Sequence, residues 1–79
     1  MQKTIGERLQ ETSEVLNQLN FEEHGKKLYE TYKYSTSSSE LYFKASGLIK
    51  TVLNDLEIKD ELLIKRLEQL KADIDKNIS

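Results

Sequence analysis

Apolar residues recur every three or four positions along the second half of this chain. Tyr42, Ala45, Ile49, Val52 and Leu56 are followed by Leu63, Leu67, Leu70 and Ile74, with a single gap of seven between Leu56 and Leu63. At about 100° per residue, such a row returns to one side of a helix every two turns. The stretch from Ser37 to Asn77 therefore reads as amphipathic helix. Ser37-Ser38-Ser39-Glu40 ahead of it is a helix-start signal. Little interrupts a helix elsewhere, because the 79 residues contain no proline and three glycines.

The first half supplies two shorter helices to cover that row. Thr4-Ile5-Gly6-Glu7 fits a capping box, in which the Thr hydroxyl and the Glu carboxylate each satisfy the other's backbone amide. Ile5, Leu9, Thr12, Leu16 and Leu19 then form one stripe, widened by Val15. Continuing its phase past Leu19 would bury Glu23 and Lys26, which desolvation opposes. A new stripe of Phe21, Gly25, Leu28 and Tyr32 begins instead, with Asn20 expected to cap a second helix through Asn20-Phe21-Glu22-Glu23. Gly25 on the inner face points to close approach of another helix, since its cost against alanine, up to ~1 kcal/mol, needs a packing reason. The run Ser35-Thr36-Ser37-Ser38-Ser39 is the clear loop, with Ser37 or Thr36 as the next N-cap.

A third helix is expected from Ser38 to about Leu56 and a fourth from Glu61 to Asn77, with Leu62, Ile64 and Ile78 flanking its stripe. Asp60 is the expected N-cap between them. The expected fold class is an all-α, small antiparallel helical bundle of four helices forming a single domain over 1–79. The alternative has three helices, the last running unbroken through Ile58-Lys59-Asp60.

Size limits the core. A chain this short buries roughly 60% of the surface it exposes when unfolded, and such domains lean on disulfides, metals, partners or very regular packing. There is no cysteine and one histidine, so disulfides are excluded and structural zinc is disfavoured. No cofactor is expected. The longest apolar run is Leu62-Leu63-Ile64, far short of the ~20 residues that span a bilayer, and Met1–Glu7 lacks the apolar centre of a signal peptide. A cytoplasmic protein without membrane contact is the expectation.

Charge is uneven. Residues 1–25 carry a net −3, residues 26–50 a net +3 and residues 51–79 a net −2, for −2 overall. The middle segment interleaves Tyr29, Tyr32, Tyr34 and Tyr42 with Lys26, Lys27, Lys33 and Lys44, a pattern that could stack bases and hold phosphates. Core packing by Tyr32 and Tyr42, with Tyr29 and Tyr34 on a rim, accounts for it more simply. A nucleic-acid-associated regulator built on 26–44 is therefore the second reading. His24 beside Gly25 and Lys26-Lys27 resembles the helical histidine of phosphotransfer domains, but a solvent-exposed helix residue is expected. Fourteen carboxylates spread over ordinary helix faces, with no nucleophile motif, phosphate loop or metal constellation, lead to the expectation of no enzymatic activity.

What is left over is apolar surface. Tyr29, Tyr34, Phe43, Leu62 and Ile64 each fall off the main stripe of their helix. The expected function is binding to another protein, or to a second copy in a homodimer, through these residues. Bacteriocin immunity proteins, antitoxins and phage accessory proteins share this size and composition, an analogy that rests on those two properties alone.

Overall fold

A computed structural model describes residues 3–78. It contains helices α1 (Ile5–Gln18), α2 (Glu22–Tyr34), α3 (Ser38–Leu53) and α4 (Glu61–Asp75), and no strand among the described residues. The connections are three, three and seven residues long, counted between those bounds. Short connections force each helix to run back along its predecessor. Each helix packs on its chain neighbours and α4 closes the ring against α1, with no diagonal contact. The result is an all-α, antiparallel four-helix bundle measuring 30 × 26 × 21 Å.

Three of the helix starts follow the local signals. Thr4 accepts the Glu7 amide at 3.1 Å while the Glu7 carboxylate accepts the Thr4 amide at 3.4 Å. Ser37 caps α3 through the Glu40 amide at 3.2 Å, and Asp60 caps α4 through the Leu63 amide at 2.9 Å. The break between α3 and α4 is therefore present, and the three-helix alternative is not.

α2 starts differently from expectation. Asn20 does not cap it; the flanking residue is Phe21, which makes no side-chain cap bond. Asn20 has φ 69° and lies in the left-handed region. The Phe21 amide donates to the Leu16 carbonyl at 2.8 Å and the Asn20 amide to the Asn17 carbonyl at 3.1 Å. This pair of bonds is a Schellman closure of α1, which needs a left-handed residue and takes Asn readily. Asn20 terminates one helix instead of starting the next, and the bonds turn the chain sharply enough for α2 to reverse.

The core follows the stripes with one exchange. Leu9, Leu16, Leu28, Ala45, Ile49, Val52, Leu63, Leu67, Leu70 and Ile74 are buried. Leu56, expected among them, is 90% exposed, and Ile58 is buried in its place. α3 ends at Leu53, so helical phase no longer applies at Leu56. The Asp55 carboxylate accepts the Glu57 amide at 2.9 Å and the Ile58 amide donates to the Asp55 carbonyl at 3.1 Å, a turn that swings Ile58 inward. Leu19 also leaves the core: it is the C-cap of α1 and is exposed. α4 stops at Asp75, two residues before Asn77, and Ile78 lies beyond it, exposed.

α1 and α2 form the most extensively packed pair. Buried Thr12 and Ser13 face inward there, each hydroxyl donating to its own helix, at the Arg8 and Gln10 carbonyls. A Cβ at Gly25 would lie 2.8 Å from the Ser13 carbonyl oxygen and would overlap the Asn17 side chain. The expected packing reason for Gly25 is thus the close approach of α1. Gly25→Ala should destabilise the domain by about 1–3 kcal/mol by urea unfolding, although alanine is the better helix former. Unchanged or raised stability would mean the two helices have room to separate.

Candidate functional site

The polar contacts that cross between helices sit at both ends of the bundle. Arg8 of α1 donates to the Asp73 carboxylate of α4 at 2.7 Å, and Ser46 of α3 donates to Asp75 of α4 at 2.6 Å, where Lys71 also binds at 2.7 Å. At the other end His24 Nε2 lies 2.8 Å from Asp55 Oδ2. His24 is thus half-buried and engaged, contrary to the expectation of a free surface residue. The two partners are 31 positions apart, and only the fold brings them together. No hydroxyl side chain among the described residues hydrogen-bonds the His24 ring, so the pair is not extended towards a nucleophile. Among the described residues, no three His, Asp or Glu side chains gather to hold a metal, and no helix is long and apolar enough to cross a membrane.

Four carboxyl groups are held below their ordinary range. Asp55 is lowered by the hydrogen bond with His24 and then by the Glu57 amide, Asp73 by Arg8, and Asp75 by Lys71 and Ser46. Glu40 is brought down to about 2 by Lys44 at 2.6 Å, together with the Thr36 hydroxyl and amide. Lys44 and Glu40 therefore neutralise each other inside the otherwise basic middle segment.

The five apolar residues singled out from the sequence do not form one patch. Ile64 is half-buried and packs on the core. Tyr29 and Tyr34 are exposed on α2, and the Lys33 ammonium lies 5.9 Å from one ring centre and 5.6 Å from the other. Tyr32, half-buried, meets Tyr29 with ring centres 6.4 Å apart. Leu62 is 81% exposed and shares a groove between α1 and α4 with Leu19, Val15 and Arg66. Phe43 is 72% exposed on α3 and adjoins Ile78.

Sequence reasoning missed Leu19 and Leu56 as surface residues, whereas Ile78, placed on the flank of the α4 stripe, is exposed. The signal for Leu56 was present in Asn54-Asp55, a pair that favours helix ends and turns. Leu19 could have been read from Asn20, since a left-handed closure puts the preceding residue at the helix rim. Comparison with protein-family models, curated protein sequences and solved structures finds no match for this chain.

The lowered carboxyl groups set the acid response. A carboxylate whose folded pKa lies below its unfolded value adds stability above that unfolded value, about 4, and the contribution is lost as pH falls through the folded value. The urea midpoint should therefore drop as pH is lowered from about 4 towards 2. Asp55→Ala should lower the midpoint at neutral pH and flatten part of this acid limb. A midpoint independent of pH across that window would show that the bridging pairs add nothing.

Proposed function

We propose that this chain is a small non-enzymatic protein that acts by binding another protein or by assembling with itself. The supporting observation is the amount of large apolar side chain left outside a closed core. Tyr34, Phe43, Leu56 and Leu62 are mostly exposed, yet no buried side-chain polar atom among the described residues lacks a hydrogen bond. Packing of the bundle is complete without them. Exposed single apolar residues are ordinary, whereas contiguous apolar surface is a recurring mark of interaction sites. Leu62 stands with Leu19 beside one groove, and Phe43 with Ile78 beside another. Aromatic and aliphatic anchors of this kind carry most of the energy in protein interfaces.

A nucleic-acid role draws less support. The basic segment folds with Glu30 lining the same groove as Lys27, Lys44 and Tyr34, and Lys44 is already paired. Phosphate recognition needs a run of uncompensated cations along one face.

Two measurements test the reading. Phe43→Ser, Tyr34→Ser and Leu62→Ser should change unfolding free energy by about 0.5 kcal/mol or less, against about 2–5 kcal/mol for Leu67→Ala. A photo-crosslinking residue at Phe43 or Leu62, in cells that make the protein, should give discrete heavier bands; the same probe at Glu14 should not. Large destabilisation by the serine variants would make these residues core. An absence of bands at both positions would remove binding to a foreign protein and leave self-association as the only form of the reading.

A further inference from the structure

Three glycines occur in the chain, and the bundle accounts for two of them. A Cβ at Gly25 would meet the Ser13 carbonyl at 2.8 Å and one at Gly6 would meet the Tyr32 ring at 2.9 Å. A Cβ at Gly47 would meet nothing within 4 Å. A mid-helix glycine weakens a helix, so Gly47 lowers the stability of α3 without relieving any contact in the monomer. One turn before it stands Phe43, 72% exposed. At about 100° per residue, Phe43, Gly47 and Lys50 lie on the side of α3 opposite buried Ala45, Ile49 and Val52. The outermost row of α3 thus carries a large aromatic, then an unfilled position, then a cation that makes no ion pair with any described residue.

This row is complementary to itself. We propose that α3 packs antiparallel on α3 of a second copy about a two-fold axis passing near Ala45, so that Phe43 of each copy covers Gly47 of the other. The assignment rests on the protein-binding reading above and names the partner for one of its surfaces. Residues equidistant from Ala45 fall at the same height in such a pair, which puts position 43 level with 47 and position 40 level with 50. The aromatic of one copy meets the vacant position of the other, twice. Glu40, fully ionised near neutral pH, comes level with the unpaired Lys50 of the second copy. Glu40 keeps Lys44 as its partner within the chain, so Lys50 of the second copy would add a second cation to that carboxylate, and Lys71 is matched by Asp75. Ile78, exposed next to Phe43, widens the apolar strip. An isologous interface requires self-complementarity of this kind.

The contact is one helix wide. The sixteen residues of α3 extend over about 24 Å, which places the interface at the small, weakly associating end of the range. Sedimentation equilibrium of the full chain up to about 1 mM is the appropriate measurement. The expected result is a reversible monomer–dimer equilibrium. Phe43→Ala and Gly47→Phe should each weaken association about tenfold or more, the first by removing the anchor and the second by setting aromatic against aromatic. The double variant Phe43→Ala/Gly47→Phe reverses large and small together and should recover most of the association. Both positions have open space in the monomer, so circular dichroism of the dilute variants should show intact helix. A chain that stays monomeric at about 1 mM overturns the dimer but leaves the binding role standing, provided a probe at Phe43 or Leu62 still crosslinks to a foreign protein. A dimer indifferent to the single variants, or a double variant weaker than either, also overturns it.

Discussion

The bundle closes because one carboxylate ends a helix and ties the turn to its neighbour. Asp55 accepts the Glu57 amide through Oδ1 and meets His24 through Oδ2. The first bond stops α3 from continuing in phase past Leu53. The second fixes the turn against the start of α2. With the chain held there, Ile58 enters the core and Asp60 is placed to cap α4. If α3 ran on, Leu56 would return to the stripe, α4 would point away from α1, and the buried rows of α1 and α2 would lack a cover. The seven-residue connection is therefore the joint that makes four helices out of a pattern that could have been three.

Packing at the opposite corner of the ring depends on size instead of charge. Gly25, Ser13 and Thr12 keep the α1–α2 contact free of bulk, and the two hydroxyls bond within their own helix, so close approach leaves no polar atom unsatisfied. The tight pair gives a firm base on which Leu9, Leu16 and Leu28 can meet the larger residues of α3 and α4. A domain of this size has few buried residues to spare. That makes the cost of an exposed Phe43, an exposed Leu62 and an unexplained Gly47 harder to attribute to chance within the monomer alone. The partner surface proposed for this chain would give all three a physical reason.

The ion pairs act differently from the core. Arg8–Asp73 and His24–Asp55 join helices far apart in sequence, at partly exposed positions. Pairs of this kind contribute little net stability, and here each ties one helix to a neighbour far along the chain. The aliphatic contacts that hold the ring are non-directional, so these pairs are among its few contacts with a fixed geometry.

The sequence by itself determined the all-α class, three of the helix caps and nearly all of the core, and left open whether the chain from Ser37 onwards forms one helix or two. Those features are local: Thr4, Ser37 and Asp60 each bond a backbone amide three residues away, and helical phase fixes which of Leu63, Leu67, Leu70 and Ile74 share a side. The exposed candidates Tyr34, Phe43 and Leu62 were legible for the same reason, because each sits off its helix's stripe. Only the tertiary structure decided the rest. It packed half-buried Ile64 on the core, joined His24 to Asp55 and paired Phe43 with Ile78 and Leu62 with Leu19, whereas the closure at Asn20 and the exchange of Leu56 for Ile58 rest on bonds only two to five residues long that stripe periodicity does not describe. The contacts between helices depend on which elements meet in space, and single-helix periodicity carries no information about contacts between residues thirty or more positions apart.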